Sequence, residues 1–138
     1  MTVHGGRLAL QTEGHGQVVD LTEGVASVLR ASGVAQGVAT VFAVGATVAV
    51  TTIEYEPGAL RDLQELLDRL IDPRGDYHHN RLNRDSNAHA HLRAALIGPS
   101  ESIPVAEGRL LLGTWQQVVL LDFDDRPRRR TVVVQICA

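Results

Sequence analysis

The sequence contains no lysine, and all 13 of its basic residues are arginine. This absence excludes Schiff-base enzymes, pyridoxal-phosphate enzymes and P-loop nucleotide-binding proteins, because each of these classes needs a lysine amine. An anionic group on a substrate must therefore be bound by arginine, by backbone N–H groups or by a metal ion. Of these, arginine offers the planar, bidentate geometry that fits phosphate.

Cysteine and long apolar runs are also scarce. Cys137 is the single cysteine, so no internal disulfide can form and a reducing compartment suits the chain. No apolar run reaches the roughly 18 to 20 residues that a membrane-spanning helix needs, and the first residues lack the pattern of a signal peptide. We therefore expect a cytoplasmic protein with no membrane partner. The net charge of −3 differs from the strongly positive charge that is typical of nucleic-acid-binding proteins. The cluster Arg126–Arg130 follows three aspartates and predicts a solvated turn.

Length and patterning indicate one domain, residues 1–138, with an apolar fraction of 44% that is ordinary for a globular protein. Alternating residues predict a hairpin of two strands around Gly14–Gly16, and two further strands that meet in a tight turn at Gly45. The segments between residues 102 and 136 predict an antiparallel strand meander.

Three helices are predicted from apolar spacing and end signals. The first covers residues 23–32, with Thr22 as its cap and Gly33 as its stop; the second runs to Pro73; the third covers about residues 87–96 and ends at Gly98. The order of elements favours an α+β fold, mostly antiparallel and β-sandwich-like (jelly-roll-like), with three helices.

Between Asp72 and Ala88 the apolar periodicity disappears and polar residues crowd together, as in functional loops. Four of the six histidines, at positions 78, 79, 89 and 91, lie in or next to this stretch. Together with Asp85 they are the ligand types of a divalent-metal site. Residues two apart on a helix point to nearly opposite faces, so we favour His79 and His91 over His89, with Asp85 as a ligand or orienting carboxylate. The alternative is that these histidines form hydrogen bonds at an interface.

Two further segments contain candidate polar residues. Glu54 and Glu56 directly follow a predicted strand, where a carboxylate can act as a general base; alternatively they cap the next helix, an interpretation that we favour for Glu56. Trp115 stands beside Gln116 and Gln117, and the segment is more typical of a packed strand than of an exposed stacking surface.

Several of these segments, in this order, resemble the YjbQ family, also described as secondary thiamine-phosphate synthases. The resemblance implies a compact sandwich-like fold, a homotrimer with clefts near the subunit boundaries, and a weak activity that joins a pyrimidine diphosphate to a thiazole phosphate. The family's functional positions fall on His79, His91, Glu54 and Gln116. Other branches read P-H-T-T where this chain reads Val44–Thr47, so a histidine is absent at Gly45, and related sequences carry tryptophan and histidine at Asn83 and Arg84. The matching segments are Thr51–Gly58, Tyr77–Asn80, His89–Ala94, Gly98–Ser100, Gly113–Gln117 and Arg128–Val134.

The resulting expectation is an enzyme that acts on a small phosphorylated metabolite. A divalent metal (zinc, manganese or magnesium) would be held by His79 and His91 with Asp85. Glu54 and Gln116 would take part in catalysis, and Arg93 would bind the leaving diphosphate. The alternative, from a different class, is a trimeric metabolite-binding or scaffold protein whose histidines stabilise an interface.

Overall fold

Eight strands and four helices follow one another in the computed structural model, which describes residues 1–138. The α+β class is confirmed. The number of helices is not three but four, because a short helix, α3, forms inside the polar stretch where the sequence predicts no regular structure. The strands are β1 (Val3–Thr12), β2 (Gln17–Asp20), β3 (Gly37–Val44), β4 (Val48–Ile53), β5 (Ser100–Ala106), β6 (Arg109–Leu110), β7 (Gln117–Asp122) and β8 (Arg128–Cys137); the helices are α1 (Thr22–Ser32), α2 (Pro57–Leu70), α3 (His78–Asn83) and α4 (Ala88–Ile97).

The strands form two antiparallel sheets, so the sandwich prediction is confirmed. The large sheet has the order β1-β8-β3-β5-β6 and the small sheet the order β2-β7-β4. Both predicted early hairpins are wrong, because β1 pairs with β8 and β2 with β7, while β3 and β4 also lie in different sheets. The predicted meander is correct only for the β5–β6 hairpin. A short turn can join two strands that pair with each other, or it can join two strands that lie in different sheets. The local sequence of the turn is the same in both cases.

The small sheet is buried on both faces. Val48, Val50 and Val118 face the large sheet in a core of 15 buried residues that also contains the apolar side of α1. Ala49 and Val119 face the opposite way, into a second core of seven buried residues formed with α2 and α4. The fold therefore has three layers, and α4 is fixed against the small sheet.

Helix ends follow local chemistry at two of the positions singled out from the sequence. Glu56 caps α2, since its carboxylate accepts the N–H groups of Gly58 (2.8 Å) and Ala59 (2.7 Å), and these hydrogen bonds lower its pKa. Gly33 ends α1 with a φ of 70°, as predicted. Thr22 does not cap α1; its hydroxyl instead accepts the N–H of Val118 at 2.9 Å and ties the start of the helix to the small sheet.

Candidate functional site

The two histidines favoured by the sequence lie side by side. His79 is on α3 and His91 on α4, and their ring centroids are 4.8 Å apart with an interplanar angle of 48°. His91 lines a cleft of about 330 Å³ whose other walls are small or apolar. These walls are Gly45, Ala46, Val48, Ala94, Ala95 and Pro99.

Asn80 holds this pair of helices in place. Its side-chain oxygen accepts the N–H of Ala88, the first residue of α4, at 3.1 Å. The same oxygen lies 3.0 Å from Nδ1 of His79. Because an amide oxygen only accepts hydrogen bonds, Nδ1 of His79 is the donor in this contact, and Nε2 makes no hydrogen bond within the chain. Asn80 is not predictable from the sequence, because its role depends on a contact between α3 and α4 that no local pattern indicates.

His89 lies away from the pair, as the helical spacing predicts. Only 8% of it is exposed, and its Nδ1 is buried without a hydrogen-bond partner. Burial, followed by the positive charge of Arg93, lowers its pKa below the ordinary value of 6.5. His89 is therefore a neutral, buried side chain.

Arg93 is not in the cleft, and the expected contact with a leaving diphosphate is not available to it. Its side chain is only 2% exposed, and one amino group donates to Asp68 at 2.9 Å and to the carbonyl of Ile71 at 2.7 Å. Its guanidinium also lies 6.0 Å from the centre of the Phe123 ring. Arg93 therefore joins α4 to α2 as a packing residue. Arg93 lies four residues after His89, so both side chains are on the same, buried face of α4. The sequence pattern alone does not show that this face is buried.

Asp85 does not join the histidine pair. Its carboxylate accepts the N–H of Ser86 at 2.8 Å and lies 3.7 Å from the guanidinium of Arg126. No group of three or more histidine, cysteine, aspartate or glutamate side chains converges as a metal site would require. Catalytic zinc sites use three protein ligands, so the pair of His79 and His91 is one ligand short.

Glu54 and Gln116 meet at the opposite end of β4. Both line a cleft of about 470 Å³ together with Trp115. The Gln116 amide donates to the Thr52 hydroxyl at 3.1 Å and accepts the N–H of Gly113 at 3.0 Å, so its orientation is fixed. Trp115 is 73% exposed and precedes β7, so the expectation that it packs within a strand is wrong.

This second cleft is far from the histidines within one chain. Val48 borders the His91 cleft and Glu54 the other, and the six steps of extended chain between them span about 20 Å. The structure thus brings together His79 with His91, and Glu54 with Gln116, but not one pair with the other.

A buried network of acids and arginines near the β7–β8 turn was also missed. Asp122 accepts the Thr12 hydroxyl at 2.5 Å and the Arg130 guanidinium at 2.7 Å. Asp124 accepts from Arg128 at 2.9 Å. The predicted solvated arginine turn is therefore wrong for Arg130, whose side chain is only 9% exposed. The sequence does contain a signal for this network. Asp122 and Asp124 are two residues apart, as are Arg128 and Arg130, and residues two apart on a strand share one face.

The environment of Asp124 keeps it ionised. Burial by itself would raise its pKa, but hydrogen bonds from the Asp125 N–H, the Asn87 amide and Arg128 outweigh burial and hold the pKa far below the ordinary value of 3.8. Asn87 immediately precedes α4, so this network also fixes the start of the helix that carries His91.

The comparisons with known proteins agree with this architecture. A family model described as "UPF0047 protein YjbQ-like" matches residues 6–138. The chain belongs to the YjbQ-like family. It is 35% identical to a UPF0047 protein of Methanothermobacter thermautotrophicus over 136 residues, covering 99% of this chain and 93% of the relative. It is 38% identical to a UPF0047 protein of Archaeoglobus fulgidus over 128 residues, covering 93% and 97% of the two chains.

Solved structures of similar proteins share the fold. A YbjQ-like protein of unknown function from Sulfolobus solfataricus superposes with a TM-score of 0.93 at 31% identity, over 98% of this chain and 96% of that one. A hypothetical protein from Aeropyrum pernix gives a TM-score of 0.90 at 39% identity, over 97% and 98% of the two chains. Among the helices of the present chain, none is both long and apolar enough to cross a membrane.

Proposed function

We propose that this YjbQ-like protein is an enzyme that acts on a small phosphorylated metabolite in the cleft beside His79 and His91. The observation that supports the proposal most directly is the contact between these imidazoles, 4.8 Å apart, at the edge of an otherwise apolar cleft. The Asn80 oxygen leaves Nε2 of His79 free for a ligand. Paired imidazoles with one nitrogen oriented and the other free are typical of sites that bind or transfer protons and charge.

The specific reaction that we propose is the one implied by the family resemblance, thiamine-phosphate synthesis. The ring nitrogen of a thiazole phosphate forms a bond to the methylene carbon of a pyrimidine diphosphate, and the bond from that carbon to oxygen breaks. Diphosphate leaves with the electron pair of the broken bond. The leaving group gains negative charge, so catalysis requires cationic or hydrogen-bonding groups near its oxygens. The imidazoles of His79 and His91 would provide these, since Nε2 of His79 makes no hydrogen bond within the chain.

Zinc, manganese or magnesium at this pair remains a prediction. Two imidazoles without a carboxylate do not by themselves fit a resident metal ion, and we assign no step of the reaction to one. A cation bound here would need its remaining ligands from water or from phosphate oxygens, so its affinity should be low.

Glu54 and Gln116 can act in the same reaction only if a second copy of the chain supplies them, because about 20 Å of extended strand separates them from the histidines within one chain. We therefore propose the homotrimer, with composite clefts, as the active form. The cytoplasm is the proposed location, since phosphorylated metabolites and a chain without disulfides belong to a reducing compartment.

The direct test is turnover by the purified protein of the two phosphorylated substrates, followed as thiamine phosphate formed and diphosphate released. We expect His79→Ala and His91→Ala to lower the rate at least tenfold, in line with the loss of a general acid. His78→Ala is the matched control, because His78 is adjacent but exposed and contacts Arg81. Equal rates in all three variants, or no product with the wild type, would contradict the proposal.

The second candidate is a trimeric metabolite-binding or scaffold protein without catalysis. It is favoured by the exposed apolar side chains Val38, Phe42 and Val44, which alternate along β3 on the outer face of the large sheet. A face of this kind is typical of a subunit interface. Substrate binding measured by calorimetry without any turnover would support this candidate over the enzyme.

A further inference from the structure

A cavity on the other side of the molecule lies between α1 and β6, away from the histidine cleft. Its volume is about 360 Å³, which is within the range of sites for small ligands. Its apolar wall consists of Ala26 and Leu29 of α1 together with Leu110 and Leu112. A ligand that fills this wall must carry an apolar body.

The polar lining of the cavity is entirely uncharged or positive. Arg30 and Arg109 stand on α1 and β6, and no acidic residue lines the cavity. Arg30 contacts Glu23 at 2.5 Å and Arg109 contacts Glu107 at 3.7 Å, and all four side chains are highly exposed. Exposed ion pairs of this kind contribute little free energy, so an anionic ligand can replace the glutamates. Two guanidinium groups on different elements can therefore turn towards one anion.

One hydroxyl group that lines the cavity has an unused proton. The Thr22 hydroxyl accepts the Val118 N–H at 2.9 Å, and its own proton has no acceptor within the chain. This hydroxyl can donate to a polar atom on the body of a ligand, whereas the exposed arginines contact its charge.

We propose that this cavity binds a small phosphomonoester with an apolar, ring-sized body. A phosphate fits two arginines better than a carboxylate does, because it offers three oxygens to donors that approach from separate elements. The proposal goes beyond the histidine-site function, because this cavity shares no lining residue with the His91 cleft and binding here requires no catalysis; Gln116 is the one proposed catalytic residue at its border.

Phenyl phosphate is a suitable probe because it joins a phosphate group to an aromatic ring. Inorganic phosphate tests the phosphate group without the ring, and benzyl alcohol tests the ring without the phosphate. Calorimetric titration of the full chain should show phenyl phosphate binding at least tenfold more tightly than either comparator. The emission of Trp115, the single tryptophan, gives a second readout because its neighbour Gln116 lines the cavity.

Two variants and two matched controls test the location. Ala26→Phe fills the cavity and should weaken phenyl phosphate binding more than tenfold, whereas Ala31→Phe, at an exposed position of the same helix, should leave it unchanged. Arg109→Ala should weaken binding about fivefold, and Arg61→Ala, an exposed arginine on α2, should not. If Ala26→Phe does not fold, the change at the exposed Arg109 still decides the question.

The proposal is overturned if phenyl phosphate binds no more tightly than benzyl alcohol, or if Ala26→Phe or Arg109→Ala binds as well as its control. His91→Ala separates it from the histidine-site proposal. That variant should keep full affinity for phenyl phosphate in this cavity even if it loses all turnover, and an inactive wild type that still binds phenyl phosphate here would leave this inference standing.

Discussion

The side-chain oxygen of Asn80 accepts the backbone N–H of Ala88 at 3.1 Å and lies 3.0 Å from the Nδ1 atom of His79. One amide oxygen thus orients an imidazole on α3 and satisfies a free N–H group at the start of α4. Since neither Tyr77 nor Asn87 caps its helix through a side chain, this contact has no local substitute.

Asn80→Ala should therefore affect both stability and the histidine pair. We expect a loss of about 1 kcal/mol in the free energy of unfolding, the usual cost of a lost helix cap. Any ligand of His79 should bind at least about tenfold more weakly, as is typical when the partner that orients a histidine is removed. Denaturant unfolding and zinc titration measure the two effects. Leu82→Ala, on the exposed surface of the same helix, is the control, and a matching loss of zinc affinity there would contradict the assignment.

Metal binding distinguishes the histidines from one another. If His79 and His91 bind a divalent cation, replacing either by alanine should lower zinc or manganese occupancy at least about tenfold. His89→Ala should lower it much less, because His89 is buried on another face of α4. Metal content of the purified variants is the measurement, with circular dichroism to verify folding. Equal occupancy in all three variants would exclude the pair as a metal site.

Asp124 should make the protein sensitive to acid. Its folded-state pKa lies below the ordinary value of 3.8, so its ionised form stabilises the fold above that pH, and this stabilisation is lost as pH falls towards the folded-state value. Asp124→Asn should cost about 3 kcal/mol at pH 7, as for one partner of a buried ion pair, and should flatten the decline in stability below pH 4. Urea unfolding from pH 7 to 3 measures this. Asp62→Asn, at an exposed site on α2, should behave like the wild type; a similar loss there would refute a special role for Asp124.

The outer face of the large sheet should form the proposed trimer contact. Phe42→Asp places a charge among exposed apolar side chains and should convert the trimer to monomers at micromolar concentration, because an unpaired charge is costly to bury at an interface. Light scattering determines the mass. Leu66→Asp on α2, where the side chain is similarly exposed, is the control. A monomeric wild type, or a trimer in both variants, would contradict the prediction.

Local sequence patterns predicted most elements but not their partners. Apolar spacing located α1, α2 and α4 within a few residues, since helix formation depends on near neighbours. The turns at Gly14–Gly16 and at Gly45 have sequences typical of hairpins, but both connect the two sheets. Partner choice depends on the alternating burial of strands such as β7, whose two faces lie in separate cores, and that is a property of the whole fold.

The candidate site was predictable to a similar extent. Helical spacing separated His91 from His89, and ligand chemistry together with the family resemblance indicated His79 and His91 as members of one site. Asp85 and Arg93 have suitable chemistry for a site, but they contact Arg126 and Asp68 instead. Tertiary packing decides which of several polar side chains in a segment faces a cleft. The chemistry of the individual residues does not predict that packing.

The position of β8 sets the order in which this chain can fold during synthesis. Residues 128–137, near the end of the chain, form the strand between β1 and β3 in the large sheet. The first strand therefore emerges from the ribosome long before its only partner strand exists, and it cannot form its native pairing until residues 128–137 have been translated. Contacts between residues so distant in sequence make folding slow, and exposed strand edges promote aggregation. Expression at low temperature or with chaperones should accordingly raise the yield of folded protein more than changes to any single surface residue.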